Sequence, residues 1–173
     1  MNVESEDFES FFRARTSALL RSAYLLTGDR HLAEDLVQDA LARTHRAWHR
    51  LARDGNPDAY ARKVMYHLQV SRWRRRNLAE TLPGTLPEPG FRGDHAREVT
   101  ERLALQRSLQ ALPARQRAVI VLRFFEDHTE AETAQILGCR IGTVKSHAFR
   151  AIAKLREMMP DLNELDHAEE VAR

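Results

Sequence analysis

Apolar residues recur at three- and four-residue steps through most of this chain, the period of α-helices buried on one side. Phe8, Phe11, Phe12, Leu19 and Ala23 mark the first such face, with Arg15 in register. The run "TGD" stops it, and Gly28 is placed to cap the helix C-terminus. A second helix is predicted from about Arg30, carrying Val37, Leu41, Thr44, Trp48 and Leu51. "DGNPD" breaks the pattern; Asn56 as N-cap and Pro57 at the first helical position open a third helix. Beyond residue 93 the same period returns. One helix is predicted from about Asp94 to Ala111, and another after Pro113 with Val119, Leu122 and Phe125 on one face. Thr129 and Glu132 have capping-box spacing for a short helix that Gly138 ends, and a last helix follows the turn "LGCRI". Two helices across so tight a turn make a helix-turn-helix candidate.

Neither side of the chain's middle shows the alternation of a strand. Residues 83–93 hold three of the six prolines and three of the seven glycines, so "TLPGTLPEPGFRGD" reads as a linker. The predicted fold is all-α: two small, separately folded helical domains at 1–79 and 98–158, a linker at 80–97 and an acidic tail at 159–173.

Charge adds a partner class. The formal net charge is only +2, but Ala42–Arg76 carries ten Lys/Arg against two acids. The last helix adds Arg140, Lys145, Arg150, Lys154 and Arg156 before its first acid, Glu157. Two basic blocks between acidic ends suit a polyanion, because neutralising phosphates releases counterions; solvated helix faces would give the same runs. Cys139 is the only cysteine, which excludes an internal disulfide and a cysteine-cluster zinc site. No apolar run approaches the ~20 residues of a membrane span, and the acidic N-terminus lacks a signal peptide's basic start. The expectation is a cytoplasmic protein without membrane contact, metal or cofactor. No phosphate-loop glycines and no nucleophile–base set occur in a plausible context, so no catalytic residue is assigned.

On the last helix, Val144, Ala148, Ala151 and Leu155 share the core-facing stripe. Ser146, Phe149, Arg150 and Ala153 point away, with Lys145 on the flank. Small residues at the start and cations along the length suit a major groove. Gly142 lets the backbone come close, and the free N–H groups there attract a phosphate. Phe149 either meets a thymine methyl or a partner protein, or folds back on its own domain. Cys139 reads as a small buried filler.

The stretch "LPARQRAVIVLRFFEDHTEAETAQILGCRIGTVKSHAFRAIAKLRE" closely resembles the promoter-binding C-terminal domain of extracytoplasmic-function sigma factors. "AYLLTGDRHLAEDLVQDALARTHRAW" and "NPDAYARKVMYHLQVSRWRRR" resemble their N-terminal domain, close to an actinobacterial subgroup. The resemblance covers most of residues 8–157. It implies a factor that binds RNA polymerase core, directs it to promoters and helps open the duplex. By the resemblance, Asp35, Gln38 and Asp39 dock on the polymerase. The third helix and the loop before it would read the melted −10 element, through Arg53, Asn56, Arg62, Lys63, Tyr66, His67 and Trp73. Arg62, Tyr66 and Trp73 lie on one side of that helix, where aromatics between cations can stack unpaired bases; the competing reading is that Tyr66 and Trp73 simply cover a neighbouring helix. Arg140, Gly142, Thr143, Lys145, Ser146, Phe149 and Arg150 would read the −35 element as duplex. Arg140, His67 and Phe149 depart from the family, whose members often carry Ser, Asn and a small or polar residue there. The implied partners are polymerase core, promoter DNA and, as often in this class, an anti-sigma factor. The rival expectation is a stand-alone helix-turn-helix regulator with an N-terminal sensing or dimerisation bundle.

Overall fold

The computed structural model describes residues 3–79 and 96–159. Most of the linker expected at 80–97 and nearly all of the acidic tail lie outside them. The helices are α1 (Val3–Thr27), α2 (Arg30–Arg46), α3 (Trp48–Asp54), α4 (Pro57–Ala79), α5 (Ala96–Gln110), α6 (Ala114–Ile120), α7 (Glu130–Leu137) and α8 (Ile141–Met158). No strand occurs among the described residues, so the chain is all-α.

Helix boundaries follow local chemistry. Gly28 ends α1 in the left-handed region, φ 74°. Asp29 caps α2 by accepting from Leu32 N at 2.9 Å, and Asn56 caps α4 by accepting from Ala59 N at 3.0 Å. Thr129 and Glu132 make the full reciprocal box on α7, and Gly138 closes that helix with φ 63°. Two departures from the expected helices matter. The predicted second helix breaks at Ala47 into α2 and α3, because Trp48 turns inward. Its ring packs against Phe8 and Phe11 of α1, at 5.1 and 5.3 Å between centroids. Likewise α6 runs into a π-helical turn, Val121–Phe125, where Glu126 N bonds Val121 O at 3.0 Å. The wider turn rotates the following side chains, so Phe125, expected on the buried face, is exposed.

The larger departure is the arrangement of the two halves. They were expected as separately folded bundles; they share one apolar core. Leu19, Ala23, Leu26, Leu36, Met65 and Tyr66 from the first half close on Ala118, Val121, Leu122 and Ile136 from the second. Polar ties flank that core on two sides. At the C-terminus of α1, Gln106 Nε2 donates to Tyr24 O (2.9 Å), Gln110 Nε2 to Leu25 O (3.1 Å) and Arg117 Nη1 to Leu26 O. Leu25 O and Leu26 O are among the carbonyls that a helix end leaves without backbone partners, whereas Tyr24 O also accepts from Gly28 N at 2.8 Å. Along α4, Arg62, Tyr66 and His67 meet the π turn and α7.

Candidate polymerase and nucleic-acid interfaces

Helix α2 buries Ala33, Leu36, Val37, Ala40, Leu41 and Thr44. Its opposite face therefore presents Asp35, Gln38 and Asp39 together, all exposed. Asp39 pairs with Arg72 of α4 at 2.5 Å, which orients the carboxylate at the surface.

A groove lies where α2, α3 and α4 converge. One part, about 690 Å³, is lined by Arg43, Arg46, Ala47, His49, Arg50, Arg53 and Tyr60. An adjoining part, about 590 Å³, shares Arg43 and Tyr60 and adds Lys63, Val64, His67, Leu68, Ser71, Arg74 and Arg75. None of the described side chains lining either part is acidic. A concave run of guanidinium groups with a tyrosine ring at its centre can track a phosphodiester backbone and stack a base. Arg53, Lys63 and His67, all expected at the nucleic acid, fall here. Arg43, Arg46, Arg50 and Tyr60 were not singled out from the sequence. Their signal was the density of arginines just before and after the α2–α3 break.

Tyr66 and Arg62 do not lie in this groove. Tyr66, expected to be open for stacking, is fully buried. Its hydroxyl donates to Glu126 Oε1 at 3.1 Å, and Arg62 Nη1 makes a close ion pair with Glu126 Oε2. Arg62 Nε also bonds Asp58 at 2.9 Å, and Arg15 reaches Asp58 at 3.5 Å. Burial pushes the Tyr66 hydroxyl well above the usual tyrosine range, and the Glu126 charge pushes it further. Burial alone would lower the Arg62 guanidinium; the charges and hydrogen bonds of Glu126 and Asp58 outweigh it and raise its pKa. The pattern of α4 placed Arg62 and Tyr66 together correctly. It could not show that the second half covers that side. Trp73 is half-buried. His67 bonds Ile136 O through Nε2 at 3.1 Å, and Asn56 is exposed although its Oδ1 caps α4.

Helix α8 buries Val144, Ala151 and Leu155. Arg140, Gly142, Lys145, Ser146, Phe149 and Arg150 are exposed and Thr143 is half-buried. Arg140 sits at the N-cap without capping through its side chain, so its guanidinium is directed elsewhere. A Cβ at Gly142 would meet nothing within 4 Å, which leaves the helix start open to a close approach. Lys145 pairs loosely with Glu130 at 3.6 Å. Phe149 is 77% exposed and does not fold back on its own half. Cys139 is half-buried beside the apolar cluster of Val119, Ala134 and Val144, and burial raises its thiol pKa.

Residues 11–78 match the family model for sigma-70 region 2, and residues 102–155 match that for sigma-70 region 4. The RNA polymerase sigma-E factor of Streptomyces coelicolor is 42% identical over 151 residues, covering 87% of this chain and 85% of that protein. The chain belongs to the extracytoplasmic-function sigma factors. The ECF sigma factor SigM of Mycobacterium tuberculosis is 31% identical over 156 residues, 90% of this chain and 79% of SigM, which places this sigma factor in actinobacterial company. Among solved structures, the sigma factor RpoE in complex with the anti-sigma factor NepR from Bartonella quintana superposes with a TM-score of 0.71. That pair is 25% identical and covers 90% of this chain and 98% of RpoE. CnrH in complex with the cytosolic domain of CnrY shares the fold at a TM-score of 0.61 and 22% identity, covering 91% and 90% of the two chains. As a sigma factor the protein binds RNA polymerase core and directs it to promoters. The stand-alone regulator is not favoured, because region 2 accounts for the N-terminal half that reading treated as a sensing bundle. Members of the family are not enzymes in general, and no helix among the described residues is long and apolar enough to cross a membrane.

Proposed function

We propose that this sigma factor divides its work among three surfaces. The α2 face with Asp35, Gln38 and Asp39 docks on polymerase core. The groove between α2, α3 and α4 holds the opened −10 strand, with Arg53, Lys63 and His67 joined by Arg43, Arg46, Arg50 and Tyr60; Asn56 at the start of α4 and Trp73 further along it belong to the same set, as do Arg62 and Tyr66 once the second half no longer covers them. Helix α8 reads the −35 duplex through Arg140, Gly142, Thr143, Lys145, Ser146, Phe149 and Arg150. Functionally the chain divides at 1–79, 80–97, 98–158 and 159–173. It acts in the cytoplasm without catalysis or cofactor of its own, and an anti-sigma factor is a further partner; its structural neighbour RpoE is in complex with the anti-sigma factor NepR.

The observation that carries this reading is the groove: two concavities sharing Arg43 and Tyr60 and lined by cations. Replacing Arg43, Arg46 and Arg50 together by Ala tests it on single-stranded DNA. Three lost phosphate contacts should flatten the log–log salt dependence of binding by about 2, at ~0.7 per phosphate on single strands. An unchanged slope would place the strand elsewhere.

A further inference from the structure

The tie between α4 and the π turn contains an acid where the proposed function needs a nucleic acid. Glu126 is nearly buried, at 7% side-chain exposure, and faces Arg62, Tyr66 and His128. One oxygen accepts from Tyr66 and the other pairs with Arg62; His128 Nε2 lies 3.4 Å from the latter. The backbone here is built to hold it. Glu126 closes the π turn, and Asp127 follows at φ 54°, the single non-glycine residue with positive φ among those described. Arg123 Nη1 donates to His128 O and ties the loop shut. Such departures from regular geometry persist only where the surroundings hold them in place.

Arg62 and Tyr66 are a cation and an aromatic hydroxyl at i, i+4, the pair that would take a phosphate and a base of an opened strand. We propose that Glu126 is an internal substitute for that phosphate, an autoinhibitory contact that closes the two halves on each other and that a strand must displace. The inference rests on the proposed role of α4. It adds that free sigma factor is latent. The α2 face and the outer face of α8 stay exposed in the closed body, while Arg62 and Tyr66 do not. Polymerase and duplex DNA can thus engage before the halves part, and the strand contacts open last.

Glu126→Gln in the full chain tests this. It keeps the shape and removes the charge. Two readouts serve: the radius of gyration from small-angle X-ray scattering, and the anisotropy of fluorescein-labelled dT20. The expected result is a larger radius and about tenfold tighter dT20 binding, the scale of one charge-assisted hydrogen bond released. Glu9→Gln removes an exposed acid elsewhere and should leave both readouts unchanged. Gln106→Ala loosens the other tie, at Tyr24 O, without touching the cluster; it should move both readouts the same way as Glu126→Gln. If Glu126→Gln folds and matches the wild type in both, the proposal is wrong. If Glu126→Gln does not fold, Gln106→Ala decides: an opened body with unchanged dT20 affinity overturns the proposal, and tighter binding supports it. Core polymerase binding is measured alongside. Its absence in the wild type would defeat the proposed function, whereas a failed latch leaves it intact.

Discussion

Replacing Arg117 by Met should remove about a quarter or more of the stability of a domain of this size. The side chain is 6% exposed, and all five of its N–H donors have an acceptor. Nε donates to Leu109 O at 2.8 Å, Nη1 to Leu26 O and to Gln110 Oε1, and Nη2 to Gln110 O and Leu112 O at 3.0 Å each. Four of these acceptors are backbone carbonyls where α1 and α5 end, which carry the partial negative charge of helix C-termini; among the described residues no carboxylate is its partner. Burial accordingly lowers the guanidinium pKa well below the usual arginine range, to about 10. That drop corresponds to about 3 kcal/mol of desolvation cost. Five hydrogen bonds to a charged group, at the lower bound of ~1.5 kcal/mol each, give about 7 kcal/mol. The difference leaves about 4 kcal/mol, set against a usual total of roughly 5–15 kcal/mol. Equilibrium urea unfolding followed by circular dichroism measures it. With a slope of ~2 kcal/mol/M, the midpoint should fall by about 2 M. Arg117→Lys retains the charge with only three donors and should fall between Met and wild type. A loss below about 1 kcal/mol for Met would refute the reasoning, since the five bonds would then do little more than repay desolvation.

Asp39→Arg should abolish or strongly weaken core polymerase binding while the circular dichroism spectrum stays that of the wild type, because the lost pair with Arg72 is exposed and contributes at most ~1 kcal/mol; unchanged core affinity would remove α2 from the interface. Arg150→Ala should weaken binding to promoter fragments about tenfold or more, with the loss concentrated at −35 substitutions, and an equal loss on unrelated DNA would reduce it to a phosphate contact. Burial first, then the charges of Arg115 and Arg150, lower the His147 pKa from its ordinary 6.5. Unfolded His147 then binds the proton more readily than folded, so its contribution to stability is full above pH ~6.5 and is lost as pH falls through the lowered value. Thermal melts of His147→Gln should show less acid destabilisation below that pH than the wild type, and identical pH profiles would contradict the shift.

How much of this could be read in the sequence varies by kind of signal. Helix ends written in glycine, proline and caps were legible: Gly28, Asn56–Pro57, Thr129 with Glu132, and Gly138 all act as their chemistry dictates. The outer face of α8 was legible too, since a three/four stripe fixes its complement. The break at Ala47 was not, because no glycine or proline marks it and Trp48 turns inward only when Phe8 and Phe11 are in place. The π turn gives no periodic signal over five residues. Tyr66 shows the deeper limit. Periodicity ranks the faces of one helix, but its partner Glu126 stands 60 residues away in the other half. The same contact between halves left the cation-lined groove on the Tyr60–Lys63–His67 side of α4, where arginines from α2 and α3 complete it.

In vitro transcription with purified RNA polymerase core on genomic fragments bears most directly on the central claim. Core plus this protein should start transcripts at discrete sites that core alone does not use, and the protein alone should give no comparable footprint on those fragments. Transcription that stays unchanged on adding the protein, together with tight footprints by the protein alone, would contradict the account.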